Sequence, residues 1–251
     1  DELNKNVSSY SDYCHLSSWG RCGLFACTNE TCLSIYSNDE KGNLTPMFMF
    51  SPFEVVTISK INKQQQKTSY ITAIGWSDGH LEPSIPNSIL AASSAKGHLV
   101  VYDFDTKEKI ANIKFDDAII SILWSSFKQN RFYAGSKNGH FYICEINDQK
   151  SIEIVKQFDF TSRSPTTFSD TIYKSIDFIT QDDVNGHTIG IASKDQQFGF
   201  ITNADDLDQI DIQIFQNLNF KGEEKSRYDK INFFQFYPNS QDFIGIATDS
   251  S

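Results

Sequence analysis

Apolar residues recur along the chain at period two or in short continuous runs, each bounded by Gly, Asn, Asp or Ser. Period two places alternate side chains on one face of a strand, whereas an amphipathic helix needs apolar residues three and four apart. β-Branched and aromatic types dominate the runs, and no stretch reads as a helix. Ile210-Asp211-Ile212-Gln213-Ile214 alternates strictly, which predicts a half-exposed strand at an outer rim. The pattern predicts an all-β chain of many short strands.

The runs also repeat, and repetition decides the architecture. Residues 71–103 and residues 119–145 both read apolar strand, Trp-Ser, polar loop, apolar strand, Ala-x-Ser, Lys, Gly-His, apolar strand, acidic residue. Gly97 and Gly139 stand 42 residues apart and Trp76 and Trp124 stand 48 apart, so the first copy carries six extra residues in a loop around Pro83 and Pro86. Weaker copies follow the same template. Residues 19–37 supply Trp19, with Ala26 and Thr28 at the turn signal. Residues 173–202 place Phe178 at the Trp position and Ala192-Ser193-Lys194 at the turn. Residues 230–249 place Phe236 at the Trp position and Ala247 at the alanine. A further alternating stretch follows each third strand, at Phe53–Ile61, Lys109–Phe115, Ile152–Phe160 and Ile210–Leu218, so each unit has four strands.

Four-stranded units at a period of about 40–45 residues are the pattern of propeller blades, which bury their faces by stacking radially. At the positions quoted, the chain resembles the WD40-repeat family. Its Trp-Ser, Ala-x-Ser and Gly-His-Leu-Val-Val-Tyr-Asp segments look like blades of that family, with Tyr102-Asp103 where the family often has Trp-Asp. The resemblance spans nearly the whole chain and is strongest in residues 71–146. It departs where Asp116-Asp117 stand in place of the family's Gly-His pair and where third strands end in Cys144-Glu145 and Tyr36-Ser37, so the family's His–Asp–Ser/Thr–Trp network is mostly missing. The expected fold is a WD40-like β-propeller of about four complete blades plus the start of a fifth. The blades fall at residues 12–61, 70–115, 118–160, 172–218 and, in part, 229–251. At about 42 residues per blade a seven-bladed ring needs roughly 300 residues, so residues 1–251 read as one incomplete propeller. Trp19, Trp76, Trp124, Phe178 and Phe236 are expected as blade anchors in the core, and Gly97 and Gly139 as positive-φ turn residues.

Composition narrows the function. Thirty-two acidic against 22 basic residues give a formal net charge of -10, which repels phosphate backbones and anionic headgroups and argues against direct nucleic-acid binding. No window of 18 apolar residues is present and the first twenty residues lack a basic and apolar leader, so neither membrane insertion nor secretion is expected. Five cysteines, four of them within the first 32 residues, lack the spacing of zinc ribbons or redox motifs. Free thiols in a reducing compartment, cytoplasm or nucleus, fit them best. A metal site from Cys14, His15, Cys22 and Cys27 would need gaps poorly suited to one tetrahedral ion.

Candidate chemistry is sparse. The five histidines, His15, His80, His98, His140 and His187, fall mostly at turns. There is no nucleophile elbow, zinc-protease helix, phosphate loop or dinucleotide fingerprint. Asp205-Asp206-Leu207-Asp208 lacks the glycine and spaced oxygens of a calcium loop. No two of the four arginines are close in sequence, against the paired arginines of phosphoinositide-binding propellers. What remains is a surface. The expected role is a non-enzymatic scaffold without cofactors that binds other protein subunits, including a chain that completes the propeller. Family analogy points to trafficking, ciliary or chromatin-associated assemblies. A propeller enzyme with a site assembled from several blades and a peptide-recognition module using the central channel are the alternatives. Met47, Phe48, Met49 and Phe50, apolar in a loop-like setting, are the candidate partner contacts.

Overall fold

The computed structural model describes residues 16–20, 22–39, 41–53, 69–77, 88–160, 175–182, 184, 186–194, 197–204, 206–215, 230–238 and 244–248. Strands are the only regular elements among them. The first sheet takes β1 (Ser17–Trp19), β2 (Leu24–Asn29), β3 (Cys32–Asn38) and β4 (Leu44–Phe50) in that order. The second takes β5 (Ile71–Trp76), β6 (Ile89–Ser94), β7 (His98–Asp103) and β8 (Glu108–Lys114). The third takes β9 (Ile119–Trp124), β10 (Arg131–Ser136), β11 (His140–Ile146) and β12 (Ile152–Asp159). The fourth takes β13 (Phe178–Gln181), β14 (Ile189–Ala192), β15 (Phe198–Thr202) and β16 (Asp211–Phe215), and β17 (Ile231–Phe236) pairs with β18 (Ile244–Thr248). Every neighbouring pair is antiparallel, so each four-stranded sheet is a simple meander.

Burial explains the two kinds of strand in the sequence. All six residues of β5, of β6 and of β10 are buried, because these strands have a neighbouring sheet on both faces. Their sequences are correspondingly continuous in apolar and small residues. The outer strands β8 and β12 are mostly exposed or half-buried, with Ala111 and Ile152 buried, and carry charges. The fourth described strand of the first sheet is β4, Leu44–Phe50; of the stretch Phe53–Ile61 expected to supply that strand, residues 54–61 lie outside the described residues. The loop-like setting expected for Met47–Phe50 is thus a strand, and Pro46 is tolerated in it because an absent N–H at a sheet edge costs no ladder bond.

Four apolar clusters lie between successive sheets. Ala26, Leu33 and Ile35 of the first sheet pack with Ile74, Trp76 and Leu90 of the second. Ala91, Leu99 and Val101 meet Ile122, Trp124 and Phe132 of the third. Tyr133, Phe141 and Ile143 meet Ile179, Ile189 and Ile201 of the fourth, and Phe178 and Ala192 meet Ile231 and Phe234. Each fully buried side chain of this size contributes about 1.5–3 kcal/mol relative to exposure. Buried hydroxyls tie the sheets as well: Ser93 Oγ donates to Ile119 O at 2.9 Å and Ser121 Oγ to Ile176 O at 2.7 Å.

Candidate interaction surface

A backbone bond repeats at the end of each first strand and fixes the correspondence between sheets. Gly20 N donates to Leu24 O, Ser77 N to Ile89 O, Ser125 N to Arg131 O and Asp182 N to Thr188 O. Trp19, Trp76, Trp124 and Gln181 therefore occupy one place. Trp76 Nε1 donates to Ser18 O at 3.1 Å and Trp124 Nε1 to Gly75 O at 2.9 Å, each reaching the residue before the preceding Trp. The fourth sheet fills the place with Gln181, whose Oε1 accepts from Ser126 N at 3.1 Å and whose Nε2 donates to Gly186 O at 2.9 Å.

Two expected anchors change accordingly. Phe178 is buried in the core, but it opens β13, three residues before the junction position, and faces the fifth unit instead of the third sheet. The odd offset puts it on the other face of the strand. Trp19 is 55% exposed: its ring meets Phe25 at a tilt, 4.8 Å between centroids, on the face of the first sheet turned away from the second. Trp76 and Trp124 are buried at 5% and 2%, and Phe236 is buried against Phe200, its N–H donating to Thr180 Oγ1 at 3.2 Å. Gly97 and Gly139 have φ of 78° and 82° in the hairpins leading to β7 and β11.

The candidate contact residues lie along β4. Phe48 and Phe50 turn toward the second sheet, where Phe50 meets Tyr102 edge-on at 5.0 Å and Phe48 meets Phe104 at 6.3 Å. Met49 is 75% exposed and Met47 47%. A groove of about 470 Å³ runs beside them, with Met47, Phe48, Met49 and Phe50 on one wall and Tyr102, Asp103, Phe104 and Lys107 on the other. Lys107, at φ 61° in the β7–β8 turn, holds Nζ 5.1 Å from the centre of the Phe48 ring. Asp103 is buried, and its Oδ1 accepts from the N–H groups of Asp105 and Thr106, which shapes the turn that presents Lys107. Burial pushes the Tyr102 phenol up, so it stays neutral.

No family model and no curated protein matches the chain. Among solved structures it is similar to a chain in the crystal structure of the mitotic checkpoint complex, with a TM-score of 0.65 at 11% identity over 97% of its length. It spans 60% of the length of that solved chain. With four antiparallel meanders stacked in chain order, this likeness decides the architecture. The chain has a WD40-like β-propeller fold.

Elsewhere on the propeller, the reactive side chains are dispersed or occupied. Among the described residues no three His, Cys, Asp or Glu side chains could hold a metal ion, and no helix is long and apolar enough to cross a membrane. Cys22, Cys27, Cys32 and Cys144 are free thiols; Cys14 and His15 of the conceivable metal set lie outside the described residues. His140 Nδ1 pairs with Asp117 Oδ2 at 2.9 Å, and Asn138 Nδ2 donates to the other carboxylate oxygen, a local turn network of the third blade. Burial and the nearby Asp117 and Asp116 push the Tyr142 phenol up to about 12. The sequence did not single out Lys107 or Phe104; the signal that finds them is the absence of charge on β4. Nor did it single out Arg131 as a buried tie, bonded to Glu145 and, through Nη1, to Ala204 O of the fourth blade at 2.9 Å.

Proposed function

We propose that this propeller is a non-enzymatic WD40-type scaffold subunit that binds other proteins, with the groove beside β4 as a principal contact surface. The observation that carries the reading is the exposed, uncharged strand Leu44–Phe50, whose Leu44, Met47 and Met49 face solvent on a chain of net charge -10. Contiguous exposed apolar surface of this kind marks protein interaction sites, and methionine adapts to varied partners. The free thiols support an intracellular setting, cytoplasmic or nuclear. The aromatic face Trp19–Phe25–Tyr36, in the register that Trp76–Leu90–Tyr102 uses for docking on the first blade, supports a further blade-like sheet as one partner. The mitotic checkpoint complex is a multiprotein assembly, and an assembly role for this chain is in keeping with that likeness.

The test compares the wild-type protein with Met47→Glu/Met49→Glu by isotope-coded co-purification and light scattering. Association of a defined subunit in fixed stoichiometry with the wild type, and its loss from the double variant, is expected. A monomeric protein with an identical co-purifying set in both forms would overturn the reading.

A further inference from the structure

We infer that the groove takes an extended peptide that pairs with β4 as an added strand, placing two apolar side chains two residues apart beside Met47 and Met49 and an Asp or Glu against Lys107. This rests on the reading of the chain as a protein-binding module and specifies how the binding occurs.

Successive side chains of a strand point to opposite faces, yet the groove is lined by four consecutive residues, Met47 to Phe50. A cleft with that lining runs along the strand's edge and not over one face. Among the described residues β4 is the outermost strand of its sheet, and one row of its backbone N–H and C=O groups has no described partner in the ladder. The other outer strands are protected in the way that prevents unwanted pairing. β8 carries Glu108, Lys109 and Lys114, β12 carries Glu153, Lys156 and Asp159, and β16 begins with Asp211. β4, Leu-Thr-Pro-Met-Phe-Met-Phe, carries no charge at all. Within the strand the one guard is Pro46, which removes one donor and leaves the four following residues, those that line the groove, able to pair. Four residues span about 13 Å, the length of a short linear motif bound by strand addition.

The charge of the occupant follows from the opposite wall. Asp103 is buried and spends its Oδ1 on two backbone N–H groups, whereas Lys107 presents its ammonium beside the Phe48 ring. A cation held on an aromatic face keeps donors free for a carboxylate. The matching peptide is therefore acidic and apolar.

The probe is a randomised library of acetylated octapeptides selected on the full chain and read by sequencing, followed by fluorescence anisotropy of the enriched peptide. Enrichment of two apolar residues at i and i+2 flanked by Asp or Glu is expected on the wild type. Lys107→Glu weakens the enriched peptide by about tenfold and shifts selection toward Lys or Arg. Met49→Glu weakens it also, and N-methylation of alternate peptide amides abolishes binding, as strand pairing requires. Lys107 and Met49 lie outside the cores between blades, and unchanged unfolding midpoints establish that both variants fold. Absence of enrichment, or binding indifferent to Lys107→Glu and to N-methylation, overturns the strand-addition proposal. Retained subunit association in that event would leave the scaffold reading standing.

Discussion

The indole N–H of Trp124 donates to the carbonyl of Gly75 at 2.9 Å, joining the third blade to the first strand of the second. Trp76 repeats the bond one blade earlier, on Ser18 at 3.1 Å. Trp124→Phe keeps an aromatic ring but removes the donor, leaving a carbonyl unsatisfied, and is expected to cost at least about 1–2 kcal/mol in urea unfolding. Trp124→Ala adds the cavity and costs about 3–5 kcal/mol. Trp19, on the exposed face of the first blade, gives the control: Trp19→Phe changes stability by less than about 0.5 kcal/mol.

Gly97 and Gly42 separate backbone conformation from close approach. Both have positive φ, 78° and 83°. A Cβ on Gly97 would lie 2.5 Å from Phe115 O and 2.6 Å from Asp117 O, whereas one on Gly42 meets nothing within 4 Å. Gly42→Ala is therefore expected to cost about 1 kcal/mol from conformation alone. Gly97→Ala, which must also displace two backbone carbonyls, is expected to cost well beyond that, measured by the same unfolding assay.

Arg131 is 2% exposed and holds Glu145 in its own blade while reaching Ala204 O in the next. Arg131→Met leaves the carboxylate and the carbonyl without their donor. The expected loss is about 3 kcal/mol, and Arg131→Lys, which lacks the forked geometry, recovers only part of it. Denaturant midpoints of the two variants check the order.

Cys144 is fully buried in β11, and burial pushes its thiol far up from the usual range. Since the thiolate is the reactive form, Cys144 should resist maleimide in the native protein at pH 7 and label only on unfolding. Its labelling rate then follows denaturant in parallel with global unfolding. Rapid native-state labelling, mapped by peptide mass, would contradict its place in the core.

Much of the propeller was legible in sequence because the second and third blades keep Trp, a turn serine and a positive-φ glycine at fixed places. The weaker blades mislead by one residue. Trp19 stands opposite Phe25, so Cys27, and not Ala26, shares a face with it; Ala192 and Ala247 are displaced by one residue in the opposite sense, since Ile191 and Ile246 share the face of the junction residue. Inner strands are buried on both faces, so their hydrophobicity does not record which face a residue takes, and the misplaced Phe178 follows from that. Gln181 does the work of an aromatic anchor through hydrogen bonds, a substitution that composition conceals. Met47–Phe50 stood out in the sequence as an apolar stretch, but their wall partner Phe104–Lys107 comes from the next blade and meets them only through the fold.

The most direct test of the central claim, a protein-binding surface along β4, is photo-crosslinking of the full protein in cells with benzoylphenylalanine at position 49 and, as control, at position 150 in the β11–β12 turn. The account predicts a discrete polypeptide adduct from position 49, abolished by Lys107→Glu and absent from position 150. A folded protein that gives no position-specific adduct at 49 would contradict it.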